Sequence, residues 1–357
     1  MKRSISILWL ALLVGLVVLA AWQSRRLAEV RRERLPESYT GATSDVPPAI
    51  TFVMVGLGGF RGVVSEVLWF RANRLQEAGR YFELVQLADW LTMLDPHASE
   101  AWVYNAWNLA YNVSVMMGRP EDRLRWVLNG IALLRDEGLR FNPRDARLYR
   151  ELAWFYQNKV GDVLDSAHLT YKTALARQLA PCVNTNGTVH VTPENRERLS
   201  ALRLDADRMV ALEQRFGPLD WRLANSHAIY WAAQGLEFAT GHERLMSRRA
   251  VYQPLILSVA NGRLAGDIEA QQWKTAPNLD LALPTAEFLM DTYRNHPSAT
   301  MKMVTRRFLS HAIYDLHRNR REDEARQLFA HLVALPSESK RQPSFEDVIK
   351  KIEQRYE

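Results

Sequence analysis

The sequence predicts an all-α fold, in which helical hairpins stack along the chain behind an N-terminal transmembrane helix. Three observations lead to this prediction. Residues 5–22 carry no charge, apolar residues recur at helical spacing over most of the remaining chain, and glycine or proline interrupts that spacing at intervals. No alternation of strands with helices is visible over the hundred residues that follow residue 48.

Composition bounds the prediction but does not identify a function. The chain has 357 residues and 47% of them are hydrophobic, so it can bury a large core. A net charge of +6 is a mild basic excess that neither requires nor excludes an anionic partner. Cys182 is the single cysteine, which excludes an internal disulfide and a paired-cysteine metal site.

Residues 1–24 form the first predicted element, a membrane anchor. Lys2 and Arg3 precede ISILWLALLVGLVVLAAW, which as a helix would rise about 27 Å and so match the roughly 30 Å hydrocarbon core of a bilayer. A cleaved signal peptide is the alternative, but its apolar region would normally be shorter and end in a better small-x-small site. We therefore expect an uncleaved, single-pass anchor in a bacterial inner membrane.

The side of the membrane on which the remaining chain lies is less clear from the sequence. Five arginines follow the apolar run between residues 25 and 34, and a count of basic residues favours a cytoplasmic location for that flank. A short basic start followed by an apolar helix is typical of a bacterial signal-anchor, which exports the rest. We expect the soluble domain to be extracytoplasmic.

Residues 25–48 are a predicted linker, and residues 49–66 are a predicted apolar, glycine-rich lead-in helix. The stretch VMVGLGGFRG resembles a dinucleotide loop at first sight, but Arg61 occupies the position of the third glycine. No nucleotide site is therefore expected. Gly58 and Gly62 do have small-x3-small spacing, which lets another helix approach closely. We expect Gly58, Gly62 and Arg61 to serve helix packing or to lie near the membrane.

Residues 67–178 contain the best predicted helical hairpins. Gly79 and Pro96 stand 17 residues apart and end the two helices of a first unit, with Ala72 as the small packing residue of its first helix. Two further units follow the same plan. Their predicted packing residues are Trp102, Ala106 and Leu109, then Tyr149, Leu152, Ala153, Tyr156, Ala167, Tyr171 and Ala174.

The later part of the chain is less regular. Residues 179–296 are a predicted irregular helical middle with loop insertions, including a polar loop at 179–196 and a helix around SHAIYWAAQG. Residues 297–357 contain a last hairpin and a closing amphipathic helix, FEDVIKKIEQRYE. Such a helix would cap the open end of a stacked array.

These spacings resemble the tetratricopeptide-repeat (TPR) superfamily, whose 34-residue unit is a helical hairpin closed by glycine and proline. The run GGFRGVVSEVLWFRANRLQEAGRYFELVQLADWLTMLDP also resembles the N-terminal segment of a group of membrane-anchored bacterial TPR proteins. The resemblance implies an α-solenoid and a scaffold role, and it implies no reaction.

In such a solenoid the first helix of each unit lines the concave face, and we expect that face to bind a protein partner. Amides there would bond the backbone of an extended segment, and aromatic rings would cover its side chains. The alternative is that the rings only fill gaps between irregular repeats. The predicted partner-binding residues are Asn73, Trp107, Asn108, Trp154, Gln157, Asn158, Tyr314 and His317.

No catalytic, metal-binding or cofactor-binding residue is predicted. His242 and Glu243 begin like a zinc-protease motif, but Met246 replaces the second histidine. No aromatic stacking module for nucleic acid is evident, and basic pairs such as Arg248 and Arg249 are expected on solvated faces. The expected function is a membrane-anchored protein–protein interaction scaffold or adaptor in an envelope or secretion-type assembly. The alternatives are an enzyme or enzyme subunit acting on envelope polymers, and a structural subunit of a membrane transporter.

Overall fold

The computed structural model describes residues 61–268, 272–336 and 343–354, and four isolated positions at residues 15, 22, 23 and 26. The predicted anchor, the linker and most of the lead-in helix therefore lie outside the described residues. Within the described residues, no helix is both long enough and apolar enough to cross a bilayer.

The described chain is mostly helical, which confirms the all-α prediction at the level of fold class. The first half contains α1 Arg61–Glu77, α2 Tyr81–Leu94, α3 Ser99–Trp107, α4 Ser114–Met116, α5 Pro120–Ala132, α6 Leu139–Phe141, α7 Ala146–Trp154 and α8 His168–Leu179. The second half contains α9 Pro193–Ala201, α10 Ala206–Phe216, α11 Ala224–Phe238, α12 Gly241–Asn261, β1 Arg263–Asp267, β2 Gln272–Ala276, α13 Ala282–Asn295, α14 Ala299–Arg318, α15 Glu322–Ala334 and α16 Phe345–Glu353.

Helix α1 runs without interruption through residue 66, so the predicted boundary between lead-in helix and first repeat falls inside it. Gly79 forms the turn after α1. Its φ of 68° lies in the left-handed region, which glycine adopts at little steric cost. Arg80 N donates to Leu75 O at 2.9 Å across this turn. The three-residue connection brings α2 back antiparallel to α1.

At the second predicted break, the carbonyl of Pro96 accepts hydrogen bonds from two later parts of the chain. Trp102 Nε1 and Asn142 Nδ2 each donate to the carbonyl of Pro96 at 2.8 Å. Trp102 is buried in the core, and Asn142 follows α6. The break therefore supplies a backbone acceptor that fixes the start of α3 against the end of the second unit.

Three π-helical segments lengthen the helices of the second and third units within the described chain. They are Asn108–Val113 after α3, Leu133–Gly138 after α5 and Phe155–Val160 after α7. A π-helical turn carries more residues than an α-helical turn and shifts the side chains that follow it around the helix. In the second unit, α5 packs closely against α3 at Gly130. A Cβ at this position would lie 2.8 Å from Ala106 O.

Most described helices pack on their neighbours in the chain, as in α1 with α2, α11 with α12, and α14 with α15. The main exception is α7, which packs extensively on α11 across the intervening helices α8 to α10. Gly235 of α11 allows this approach, because an added Cβ would lie 2.5 Å from Tyr149 Cβ. The predicted partner segment for α7, residues 167–174, instead packs on the π segment after α7 and on α5.

The buried apolar side chains form two clusters in the described chain. The larger cluster extends from Trp102 to Ile352 and includes both faces of α11. The smaller one joins α1, α2 and the start of α3 through Ala72, Leu84 and Leu91. The C-terminal helix α16 begins with a capping box between Ser344 and Asp347 and contributes its apolar face to the larger cluster.

A two-stranded antiparallel hairpin interrupts the helical order after α12. Strands β1 and β2 pair with Arg263 opposite Ala276 and Asp267 opposite Gln272. The sequence predicts an irregular helical middle with loop insertions over residues 179–296, so this hairpin is a correction. The Asp220 carboxylate accepts from Leu264 N at 2.9 Å and so fixes β1 to the loop before α11.

Candidate functional site

A groove runs along the described chain between α12, α14, the π segment after α7 and the hairpin. It consists of two cavities, of about 580 Å³ and about 490 Å³. Gln157 and Leu257 line both cavities, so the two are adjacent parts of one surface. We call this surface the central groove.

The first cavity lies between α12 and α14 and has an apolar floor. Tyr252, Ile256, Val304 and Phe308 supply much of this floor. Arg249 of α12 and Arg307 of α14 stand at its rim, and both are exposed. Neither arginine has an acidic partner among the described residues, so the rim presents two positive charges available to a ligand.

The second cavity is bounded by the hairpin, the loop after the third π segment and the start of α11. Three apolar side chains in its wall are unusually exposed for their type: Val163 at 67%, Leu169 at 60% and Leu257 at 41%. Trp273 of β2 closes the far side, where its Nε1 donates to Thr173 Oγ1 at 3.3 Å. An exposed apolar lining inside a concave surface is typical of a binding groove.

Burial shifts the pKa of three ionisable groups in and beside the groove. It raises the pKa of Asp315, although His311 and Arg318 act in the opposite direction. It lowers the pKa of Lys172, against the attraction of Asp162. Burial also lowers the pKa of His168, which lies 3.3 Å from the Lys172 ammonium through Nδ1. All three directions have the same first cause, which is that partial burial disfavours the charged form.

An aromatic cluster stands at the start of the third π segment. Trp107 stacks on Tyr111 with ring centroids 4.3 Å apart and on Trp154 at 6.4 Å. Trp107 Nε1 donates to Glu151 Oε2 at 2.8 Å, which orients the indole. Trp154 is 43% exposed and presents a ring to solvent, and Asn158 Nδ2 donates to its carbonyl at 3.3 Å.

The structure brings only some of the predicted partner-binding residues together. Trp107 and Trp154 stack on each other, while Gln157 and Asn158 lie in the groove wall one turn further on. Asn73 is exposed on α1, away from this group. His317 Nδ1 contacts the carboxylate of Glu322 and its ring meets Phe345 edge-on, so it lies at the junction of α14 with α15 and α16.

Two of the predicted residues are buried. Asn108 is 2% exposed, donates to Tyr81 O at 3.2 Å and accepts from Asn112 Nδ2 at 3.1 Å, which ties α3 to α2. Tyr314 is 8% exposed and belongs to the large cluster. As the structure stands, neither side chain is on a surface that a partner can reach. Partner binding by the eight residues stays a prediction.

The predicted glycine pair falls at the edge of the described residues. Gly58 lies outside them, as does the side chain of Arg61. Gly62 is exposed in the first turn of α1, and an added Cβ would meet nothing within 4 Å. Within the described chain, no other helix approaches at this position.

Two acidic side chains line the groove within the described chain. Asp315 is the acidic group of the first cavity and Asp162 that of the second. His311 lines the first cavity together with Asp315 and acts to lower its pKa. Nowhere in the described ranges do three or more His, Cys, Asp or Glu side chains gather so that they could hold a metal ion.

Most of the residues that line the groove are not among the binding residues predicted from the sequence. Leu257, Arg249 and Arg307 come from α12 and α14, which the sequence places in an irregular region and in a late repeat. The expectation that Arg248 is solvated is also wrong. Arg248 is buried, pairs with Asp291 at 2.6 Å and lies over the Phe288 ring at 4.5 Å. Apolar residues next to arginines are visible in the sequence, but only the fold shows which of them are exposed and which lie together in one groove.

Comparison with known protein families and with curated proteins gives no match to this chain. The resemblance to tetratricopeptide-repeat proteins therefore depends on the residues and spacings quoted above.

Proposed function

We propose that this chain is a protein-interaction scaffold that binds an extended segment of a partner protein in the central groove. The observation that supports the proposal best is the groove itself, with its apolar floor and its exposed leucine and valine side chains. It also contains two arginines that have no acidic partner in the part of the chain that the structure describes. A groove of this kind gives affinity through apolar anchors and orientation through a few polar groups.

The chemistry of the walls indicates the type of segment. Arg249 of α12 and Arg307 of α14 both line the first cavity, so an acidic side chain bound there would gain charge-assisted hydrogen bonds. Val163, Leu169 and Leu257 would hold apolar side chains further along. The partner segment is therefore an extended stretch with apolar residues beside aspartate or glutamate.

The wider role extends the same proposal. Tethered by residues 1–24, the scaffold would present its groove close to a bacterial membrane and recruit a component of an envelope or secretion-type assembly. The stacked helical order of α1 to α5 and of α12 to α16 is compatible with an α-solenoid of TPR type, which is the architecture we propose. The soluble domain would then lie on the extracytoplasmic side.

Site-specific photo-cross-linking in the native host tests the proposal. A photoreactive phenylalanine analogue replaces Leu257 in the full-length protein, and the same analogue at Leu128 is the matched control, since Leu128 is 48% exposed on α5 outside the groove. We expect one discrete adduct at position 257 and none at position 128. Mass spectrometry of the adduct then gives the sequence of the captured segment.

The charge requirement is tested on the captured segment as a synthetic peptide. Arg249→Glu with Arg307→Glu should weaken its binding at least tenfold and reduce its dependence on salt. Arg244→Glu, at an exposed position on the same helix as Arg249 and outside the groove lining, should leave binding unchanged. Equal adducts at positions 257 and 128, or a peptide indifferent to the two groove arginines, would contradict the proposal.

A further inference from the structure

Helix α1 has a second apolar face that nothing in the described chain covers. Val63 is 60% exposed, Val67 is 61% exposed and Phe70 is 66% exposed. These three residues follow the i, i+4, i+7 spacing that aligns side chains along one side of a helix. We call them the α1 stripe.

The stripe lies on the side of α1 that faces away from the core. At about 100° per residue, the three side chains fall within roughly 60° of each other, whereas Ala72 falls on the opposite side. Ala72 is fully buried under α2, and Leu75 beside it is 8% exposed. Helix α1 is therefore apolar on two opposite faces, and only one of them packs on the protein.

Removing the stripe from water would be substantially favourable. Removing a valine or phenylalanine side chain from water is favourable in proportion to the apolar area that is buried. Three such residues on one helix would thus contribute strongly to the binding of whatever covers them. Single exposed apolar residues need no explanation, but an aligned set does.

Charge and sequence beside the stripe favour a lipid surface as its cover. Arg71 lies along one edge of the stripe, and Arg74 continues its line one turn beyond Phe70. Both arginines are exposed without an ion-pair partner in the described chain, and the Arg74 guanidinium lies 5.7 Å from the Phe70 ring. The acidic residues Glu66 and Glu77 lie along the other edge. An apolar strip beside arginines is the pattern of a helix lying in the headgroup region of an anionic membrane.

The sequence that precedes α1 also favours a lipid surface as the cover of the stripe. Residues 49–60, AITFVMVGLGGF, contain no charged side chain and lead directly into Arg61. The uncharged sequence and the stripe are therefore continuous along the chain. Trp90 on the neighbouring α2 is 56% exposed and adds an aromatic of the type that favours the membrane interface.

We propose that α1 lies on an anionic membrane surface, with Val63, Val67 and Phe70 inserted among the lipids and Arg71 and Arg74 at the headgroups. This contact is additional to the predicted anchor and does not depend on the proposed binding function. It would fix the orientation of the first helical hairpin relative to the bilayer. The central groove lies on other helices and would remain open to solvent.

The test uses the full-length chain in vesicles of equal parts phosphatidylcholine and phosphatidylglycerol. Cys182→Ser removes the buried native thiol, and Val67→Cys then takes an environment-sensitive fluorophore. Leu164→Cys is the control, because Leu164 is 86% exposed and lies outside α1. We expect a blue shift and quenching by spin-labelled lipid at position 67, severalfold stronger than at position 164.

Two variants make the result specific. Arg71→Ala with Arg74→Ala should reduce the quenching at position 67 in anionic vesicles and have little effect in phosphatidylcholine alone. Phe70→Glu should abolish it in both, while circular dichroism remains unchanged. Equal quenching at positions 67 and 164 would overturn the proposal. So would a blue shift that persists in detergent without vesicles, or one that scales with cross-linking between two labelled chains.

Discussion

His227 is a histidine that the fold holds in its neutral form. Its Nε2 donates to Trp221 O at 2.9 Å, its ring stacks on Tyr156 at 5.0 Å, and its Nδ1 is buried without a hydrogen-bond partner in the described chain. Burial lowers the pKa of His227 to about 4. A proton on Nδ1 would place an unpaired charge in the core.

Stability should therefore fall as the pH is lowered through the weakly acidic range. Above the unfolded pKa of about 6.5 both states are neutral at this residue, whereas between about 6.5 and about 4 only the unfolded state takes up the proton. We expect the free energy of unfolding to lose up to about 3 kcal/mol over this interval. Urea denaturation at a series of pH values measures it.

His227→Gln is the matched variant, because glutamine can still donate to Trp221 O but does not titrate. The difference in unfolding free energy between the native chain and this variant should shrink as the pH falls. A difference that stays constant from neutral pH to about pH 4 would show that His227 does not bind protons differently in the two states.

Asp220 is a buried carboxylate that joins three segments. It accepts from Arg222 Nε at 2.8 Å and from Leu264 N at 2.9 Å, and it leaves no room for a side chain at Gly187. Asp220→Asn removes the charge and one acceptor, so we expect a loss of about 3 kcal/mol in unfolding free energy. Chemical denaturation measures this loss.

The control for Asp220 is Asp207→Asn, which removes a carboxylate that pairs with Arg196 on the surface. Surface pairs contribute little, so the stability should hardly change. Equal effects of the two substitutions would mean that Asp220 is not the anchor of β1. Such side-chain-to-backbone anchors are invisible in the sequence, because Asp220 and Leu264 are brought together only by the fold.

At the scale of elements, α7 and α11 approach each other closely at Gly235. Gly235→Ala would place its Cβ about 2.5 Å from Tyr149 Cβ, too close for two carbon atoms. We expect the helices to separate slightly and the unfolding free energy to fall by about 1–3 kcal/mol. Thermal and urea unfolding would both report it.

Gly118→Ala is the natural comparison, because a Cβ there meets nothing within 4 Å. That change should be neutral or slightly stabilising, since alanine has fewer conformations to lose on folding. If Gly235→Ala proved as harmless as Gly118→Ala, the close approach of α7 and α11 would be wrong.

The sequence predicts helix ends better than helix partners. Gly79 and Pro96 end helices where local chemistry requires it, and most predicted packing residues of the first three units are buried, including Ala72, Ala106 and Leu152. The π segments and the β1–β2 hairpin were not predicted. Their formation depends on contacts from distant residues, such as Asp220 with Leu264, rather than on local spacing.

At the scale of the whole molecule, the separation of the two core clusters predicts unequal stability. The α1–α2 hairpin depends on a small cluster of its own, whereas α7 and α11 lie in the large one. Local opening follows the density of buried contacts. In detergent, amide hydrogens of α1 and α2 should therefore exchange much faster than those of α7 and α11.

Hydrogen exchange followed by mass spectrometry resolves these helices as separate peptides. Uniform protection across all four would mean that the chain unfolds as one cooperative unit. If vesicles slow exchange in α1 and leave α7 unchanged, the same measurement would add support for the membrane contact of α1.

Long-range order also limits what the sequence predicts about the site. Gln157 and Asn158 were predicted from repeat spacing and do lie in the groove wall. Their neighbours Leu257 and Arg307 are about 100 and about 150 positions further along. The packing of α7 on α11 and on α12, across the helices between them in the chain, brings Leu257 near.

The walls of the central groove come from segments between residues 157 and 315. No short fragment of the chain contains the whole surface, so an unfolded or truncated chain could not hold the partner segment that we propose. Under that proposal occupancy and folding are linked, since a bound segment would stabilise the folded chain in proportion to the logarithm of its concentration. Cellular abundance of this protein should then follow that of the proposed partner, because the unoccupied chain is the better substrate for proteases.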